Sequence, residues 1–220
     1  MGGRGSSSGT GPSLGGGSGK NVNIIDQLDI WSYRHNPNNE PMFEAIISGV
    51  RKMDDDFPGL MTDTVNSVNA ATLGGADKQN TLGFYDPVAK TVALNDNYTD
   101  IDKMNKVYDA SVASGHHPPR GNLTGTEAVT LHEMGHALTS HVADKMGVSN
   151  FDEASKRIVD AAYANSKGTG GTKAWAGKIS GYAQSSNAEC IAEAVADWYC
   201  NGAKASAQSK AIMAELKKYR

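Results

Sequence analysis

Helical periodicity dominates this 220-residue chain. The spacing of its apolar residues, with favourable start and stop residues around them, predicts five helices. They cover residues 42–56, 124–145, 151–166, 186–198 and 205–219. Residues 81–95 differ, because two strand-like runs there flank a turn that contains Pro87, and this predicts a β-hairpin. The pattern therefore predicts an α+β fold that is mainly helical and carries a small antiparallel hairpin.

The second of these helices has the clearest internal pattern. Thr124 is followed three residues later by Glu127, which is the spacing of a capping box at a helix start. Leu131, Leu138 and Val142 fall within about 20° of one another around the helix. These three residues are predicted to face the core, so the polar residues beside them are expected to line a cleft.

The same helix carries an HExxH motif, His132-Glu133-Met134-Gly135-His136. Residues at i and i+4 lie about 40° apart around a helix and about 6 Å apart along it, so both imidazoles can bind one metal ion. Glu133 points about 100° to the side, where it can act as a general base without being a ligand. Gly135 is expected to leave space between the histidines, and His141, on the opposite side, is predicted to be a surface or locally hydrogen-bonded residue. Two solvent-facing histidines on an ordinary helix are the alternative interpretation.

Catalytic zinc usually has three protein ligands and a water, so two histidines leave the site incomplete. The metzincin pattern HExxHxxGxxH is excluded, because Thr139 and Val142 stand where it requires Gly and His. A gluzincin takes a Glu from a later helix, and Glu189, Glu193 and Asp197 share one face of the predicted fourth helix. Glu189 is the predicted ligand, and Glu193 is predicted to orient a ligand histidine. The alternative is a solvated acidic stripe in which Glu189 only caps its own helix.

That fourth helix and the residues before it resemble a known family. The pattern Y-x-x-x-N-x-x-E-x-x-A-E-A follows HExxH in anthrax-lethal-factor-like zinc peptidases, and similar segments occur in phage- and prophage-encoded proteins. The matching segment is Tyr182-Ala183-Gln184-Ser185-Ser186-Asn187-Ala188-Glu189-Cys190-Ile191-Ala192-Glu193-Ala194. Asn187 stands one place later than in this pattern, and Cys190-Ile191 replaces a more aromatic pair, but neither is a ligand position. The resemblance covers roughly residues 80–202.

The resemblance implies a zincin-like fold with the hairpin at the cleft edge, and a zinc metalloendopeptidase of gluzincin type. An ordinary hairpin that covers the core is the alternative for that segment. In that family the Glu seven residues after the Tyr binds zinc and the Tyr hydroxyl assists the reaction, which implies these roles for Glu189 and Tyr182. The expected zinc ligands are thus His132, His136 and Glu189, the expected catalytic residues are Glu133 and Tyr182, and the substrate is a protein or peptide. Two alternatives remain. One is a phage structural or head-associated protein that is inactive or self-processing, and the other is a toxin-like effector peptidase.

Composition narrows the expected partners. The net charge of −3 provides no electrostatic case for nucleic-acid binding, and no apolar run approaches the length of a membrane span or forms a signal-peptide core. We therefore expect neither nucleic acid nor membrane as a partner, and phage particle components as further candidates. The expected location is the bacterial host cytoplasm or the virion. Cys190 and Cys200 lie about 15 Å apart along one predicted helix, too far for a disulfide, and are predicted to be reduced.

Low-complexity and loop segments set the domain limits. Residues 1–20 contain nine Gly and five Ser, too little apolar material to fold, so residues 1–21 are predicted to be a flexible tail and residues 22–220 the metallopeptidase domain. His116 and His117 are predicted to lie on a solvent-exposed loop. The Gly-rich stretch 167–181 is predicted to connect two helices and to bring Tyr182 to the site.

Overall fold

The computed structural model describes residues 40–71 and 81–220. The predicted tail, residues 1–21, and residues 22–39 of the predicted domain lie outside these ranges. The α-helices are α1 (Glu40–Asp54), α2 (Leu60–Thr64), α3 (Ile101–Ala113), α4 (Gly125–Lys145), α5 (Phe151–Asn165), α6 (Thr172–Ala176), α7 (Asn187–Asn201) and α8 (Ala207–Leu216). The strands are β1 (Ser67–Ala71), β2 (Gly83–Asp86) and β3 (Thr91–Asn95). Within the described ranges, no helix combines the length and the apolar character that crossing a membrane requires.

The five predicted helices are all present, as α1, α4, α5, α7 and α8, with ends that differ by a few residues. Helix α3 was not predicted. Its apolar residues recur at helical spacing, and Met104 and Tyr108 are the residues it buries fully. A start signal does exist, because the side chain of Asp100 accepts a hydrogen bond from the backbone N–H of Lys103 at 2.9 Å.

The predicted hairpin is confirmed as β2 and β3, which pair antiparallel. The sheet as a whole is mixed, because β1 pairs parallel with β3 and the strand order is β1-β3-β2. The sequence pattern missed β1, so the predicted antiparallel hairpin forms part of a larger, mixed sheet. Strand β2 stands at an edge of the described sheet and packs against α4. This packing brings the start of β2 beside the HExxH helix.

Helix α4 lies in the core. The predicted core stripe of Leu131, Leu138 and Val142 is fully buried, and the Thr124–Glu127 capping box is present at its start. Each CH₂ removed from water by such packing contributes about 0.8 kcal/mol, so the apolar stripe holds the helix in a fixed orientation. The polar face next to the stripe is thereby directed at α7 and at a cleft.

Helices α4 and α7 approach each other closely. A Cβ on Gly135 would lie 2.7 Å from the Cα of Ala192, a separation that real Cβ atoms do not adopt. Gly135 therefore serves to bring two helix backbones together, which differs from the expectation that it keeps space open between the histidines. On the facing side of α7, Ile191, Ala194 and Val195 are fully buried. The close approach places the acidic residues of α7 opposite the histidines of α4.

Candidate metal centre

Three side chains from α4 and α7 converge on one point beside the cleft. The Nε2 atom of His132 lies 3.1 Å from Oε2 of Glu189, and the Nε2 atom of His136 lies 3.5 Å from the same oxygen. One ligand atom from each residue lies within 4.8 Å of the other two. Oε2 of Glu189 is buried and has no hydrogen-bond partner of acceptable geometry, so the three groups face a shared position instead of bonding to one another. This group could hold a metal ion.

The histidines and carboxylates of this cluster shift one another's pKa values. Burial by itself would raise the pKa of Glu189, but His132 and His136 outweigh it and hold that pKa well below its usual range. Burial would lower the pKa of His132, but the carboxylates of Glu189 and Glu193 outweigh it and raise that pKa well above its usual range. The carboxylates thus favour a positive charge at this position, whether a proton or a metal ion carries it.

Glu193 lies behind the cluster, one helical turn after Glu189. Its Oε1 accepts a hydrogen bond from Nδ1 of His132 at 2.7 Å, and its Oε2 accepts one from the hydroxyl of Ser180 at 2.7 Å. Although burial tends to raise its pKa, the hydrogen bonds from His117 and His132 lower the pKa of Glu193 to about 2, so the carboxylate is ionised. When His132 is neutral, a carboxylate that accepts from Nδ1 leaves the lone pair on Nε2, the atom that faces Glu189.

Comparisons with protein-family models, with curated proteins and with solved structures identify no match to this chain. The residues of the centre must therefore carry any functional conclusion. Their donor set, two imidazoles and one carboxylate, suits a divalent transition-metal ion.

Glu133 lies beside the cluster and is buried, with 5% of its surface exposed. Burial is the main reason that its pKa is raised, while His132 and His136 lower it in part. Its Oε1 lies close to β2, since a Cβ on Gly83 would be 3.1 Å from that oxygen. A carboxylate with a raised pKa that faces a cleft is suited to accepting and returning a proton.

Tyr182 starts a short 3₁₀ turn, Tyr182–Gln184, just before α7. Its ring stacks on His132 with centroids 5.8 Å apart. Burial and then the Glu189 carboxylate raise the pKa of its hydroxyl, so the phenol keeps its proton. The backbone N–H of Tyr182 donates to the carbonyl of His116 at 3.0 Å, and that of Gly181 donates to the carbonyl of Gly115 at 2.7 Å. The connection after α6 thus brings Tyr182 to the centre and is fixed there by the loop before α4.

The cleft has a volume of about 350 Å³ and opens onto this machinery. Its polar wall includes His132, Glu133, Tyr182 and Glu193. Its other walls come from the start of β2, from α3 and from the first turns of α4, namely Thr81, Leu82, Gly83, Val107, Tyr108, Ser111 and Val129. Apolar side chains therefore face reactive polar groups across one cleft, which is the composition of a binding site for an organic ligand.

His117 is a site residue that the sequence did not reveal. The prediction of a solvent-exposed His pair holds for His116 but is wrong for His117, which is largely buried. Its Nδ1 bonds to Oε1 of Glu193 at 2.9 Å, and its ring stacks on Tyr108 with centroids 5.4 Å apart. The available signal was the proline that follows, because Pro118 restricts the backbone of His117.

Other candidate residues lie apart from the centre. His141 lies outside the metal cluster, as expected. Of the two predicted environments, the surface one is wrong, because His141 is 1% exposed and its Nδ1 lies 3.4 Å from Oδ2 of Asp63 on α2. Cys190 and Cys200 are both free, as predicted.

Asp197 continues the acidic face of α7 but has a structural role. Its carboxylate accepts hydrogen bonds from the backbone N–H of Ser206 at 2.8 Å, from the hydroxyl of Ser209 at 2.6 Å and from the side chain of Asn201 at 2.9 Å. It thereby fastens the start of α8 to α7. Of the three stacked acids, Glu189 and Glu193 face the histidines, while Asp197 holds the turn.

Proposed function

We propose that this chain is a zinc-dependent metallopeptidase of gluzincin type with a zincin-like fold, similar to the anthrax-lethal-factor-like and phage- or prophage-encoded peptidases. The observation that carries the proposal is the convergence of His132 Nε2, His136 Nε2 and Glu189 Oε2 beside the Glu133 carboxylate. Such a set of three protein ligands leaves a further position for water, which distinguishes catalytic from structural zinc sites.

The two separations between Glu189 and the imidazoles support zinc as the ion. Ligand atoms about 2.0–2.1 Å from a tetrahedral zinc ion lie about 3.3 Å from one another. The separations of Glu189 Oε2 from the two imidazole nitrogens, 3.1 and 3.5 Å, lie on either side of this value. Oε2 of Glu189 is buried and makes no hydrogen bond, and a cation between the three side chains would satisfy it.

Zinc, when bound, supplies a Lewis acid and lowers the pKa of water towards about 7. Glu133 accepts the proton of the attacking water and returns it to the leaving amine, a role for which its raised pKa is suited. Tyr182 donates a hydrogen bond from its hydroxyl to the oxyanion that develops on the carbonyl, a contact made mainly in the transition state. Glu193 holds His132 with Nε2 directed at Glu189.

An extended peptide is the substrate that the cleft accommodates. Residues 81–83 lead into β2 and line the cleft, and β2 is an edge strand of the described sheet. A peptide that pairs with such an edge is aligned by backbone hydrogen bonds. The carbonyl of Leu82 already accepts from the backbone N–H of Asn95 at 2.9 Å, which fixes this segment in an extended course.

Two substitutions test zinc binding and peptide cleavage separately. Glu189→Ala should lose zinc, measured by metal analysis of the purified protein, because two imidazoles alone hold the ion weakly. Glu133→Gln should keep zinc but fail to cleave a peptide library that the original protein cleaves. Glu44→Gln, an exposed change on α1, is the matched control and should alter neither property.

The outcomes discriminate among the alternatives. Full zinc occupancy in the Glu189→Ala protein would contradict the assignment of the third ligand. If the original protein binds zinc but cleaves no peptide, including its own chain, the proposed peptidase function is wrong and the protein is a metal-binding scaffold. Cleavage that persists undiminished in Glu133→Gln would show that another residue is the base.

A further inference from the structure

One carboxylate oxygen holds two histidines in the same orientation. Oε1 of Glu193 lies 2.7 Å from Nδ1 of His132 and 2.9 Å from Nδ1 of His117. A carboxylate oxygen accepts hydrogen bonds, so both imidazoles donate to it from Nδ1.

His117 is itself held firmly. Its ring stacks on Tyr108 with an interplanar angle of 7°, and the Tyr108 hydroxyl donates to the carbonyl of Pro118 at 3.2 Å. The side chain of Asn201 donates to the carbonyl of Pro119 at 2.6 Å, so the loop is also attached to the end of α7. A side chain fixed on both sides can in turn fix the carboxylate to which it donates.

The loop of His117 also contacts the other half of the machinery. The carbonyl of His116 accepts the backbone N–H of Tyr182, and the rings of His117 and Tyr182 meet edge to face with centroids 5.5 Å apart. His117 thus touches Glu193, which orients a metal ligand, and Tyr182, which faces the cleft. It contributes no atom to the metal cluster itself.

We infer that His117 is a positioning residue of the metal centre, which acts through Glu193 by holding the carboxylate that orients His132. The inference rests on the proposed function, because it assigns the role within that centre. Loss of the Nδ1 donor lets the Glu193 carboxylate rotate, since the remaining contacts are His132 on one oxygen and Ser180 on the other. His132 is then held less strictly, and zinc is bound less tightly.

The substitutions His117→Asn and His117→Gln separate a role of the Nδ1 atom from a role of the Nε2 atom. The side-chain nitrogen of Asn can take the place of Nδ1, whereas that of Gln takes the place of Nε2. Removing groups that orient metal ligands weakens metal binding about 10- to 100-fold. Glu193→Gln should show this loss, and His117→Ala should show a loss of about tenfold, at the lower end, because it acts through Glu193.

The experiment is a zinc titration against a competing chelator, with thermal unfolding of each metal-free protein as a check on folding. His117→Asn should bind zinc nearly as tightly as the original protein, and His117→Gln should bind it as weakly as His117→Ala. His116→Ala changes the exposed neighbour in the same loop and should leave the affinity unchanged. If His117→Ala fails to fold, the zinc affinities of His117→Asn and His117→Gln still test the inference.

A metal-independent measurement accompanies the titration. In metal-free protein labelled with ¹⁵N, the Nδ1–H proton of His132 should resonate downfield, and this resonance should move in His117→Gln but not in His117→Asn. Zinc affinity unaffected by His117→Ala while Glu193→Gln lowers it would overturn the inference and leave the metal centre intact. Tight zinc binding by His117→Gln together with weak binding by His117→Asn would also overturn it, because the donor atom would then be Nε2. If the original protein binds no zinc, the proposed function fails, and the His132 resonance still tests the contact between His117 and Glu193.

Discussion

Gly135 of the HExxH motif packs directly against the backbone of Ala192 on the neighbouring helix, where a Cβ would come within 2.7 Å of its Cα. Backbone cannot give way as a flexible side chain does. The absence of a side chain at this one position therefore sets the separation of α4 and α7. That separation determines whether Glu189 reaches the two histidines.

Gly135→Ala should weaken zinc binding and lower the free energy of unfolding by about 1–3 kcal/mol, because the helices must move apart to accept the methyl group. Chelator competition and chemical denaturation of the metal-free protein measure the two effects. Lys145→Ala, in the exposed last turn of the same helix, is the control. Unchanged zinc affinity in Gly135→Ala would show that the close helix contact does not govern the site.

Zinc affinity should rise with pH through the neutral range. The pKa of His132 is raised well above its usual range, so a proton competes with the metal for Nε2 at neutral pH and is released on binding. Glu189, whose pKa is lowered, stays ionised throughout and contributes no change in this range. The apparent affinity should therefore increase up to about tenfold per pH unit between about pH 6 and pH 8. Titrations in buffers of different pH measure it, and a flat profile would contradict the protonation of His132.

Tyr182→Phe should lower kcat about 10²-fold with little change in KM, since the lost hydrogen bond forms mainly in the transition state. The phenyl ring keeps the stacking on His132, so zinc affinity should stay the same. Steady-state kinetics on a peptide identified from the library provide both constants. A kcat equal to that of the original protein would show that the hydroxyl takes no part in the reaction.

Gly83→Ala should reduce kcat about 10- to 100-fold without loss of zinc. A Cβ there would lie 3.1 Å from Oε1 of Glu133 and 2.9 Å from a methyl of Val129, so it displaces the base by a few tenths of an ångström or more. Val88→Ala, at the exposed hairpin turn, is the matched control in the same sheet. Full activity in Gly83→Ala would show that Glu133 is not held against β2 during the reaction.

Asp197→Ala should destabilise the protein by about 2–4 kcal/mol, because three donors, of which the Ser209 hydroxyl is buried, lose their acceptor. Zinc affinity of the folded variant should stay unchanged, which would separate Asp197 from Glu189 and Glu193 on the same helix face. Denaturant unfolding and zinc titration test the two parts, with Asp144→Ala on the exposed side of α4 as control. A large loss of zinc affinity would instead place Asp197 in the metal centre.

Local signals made much of this structure predictable. The capping box at Thr124, the core stripe of α4 and the hairpin of β2 and β3 each depend on neighbours within a few residues, and each is present. Strand β1 escaped prediction because its partner is distant in the chain. It gains its hydrogen bonds from β3, whose residues lie 24 positions later.

By itself the sequence determined the spacing of His132, Glu133 and His136, since a helix converts the interval of four into one shared face. It also indicated Glu189, through a pattern that resembles a peptidase family. Only the tertiary structure decided that His117 shares an oxygen of Glu193 with His132, and that Gly135 serves helix contact. These contacts join residues far apart in the chain, and their geometry depends on how whole helices pack, which no local spacing encodes.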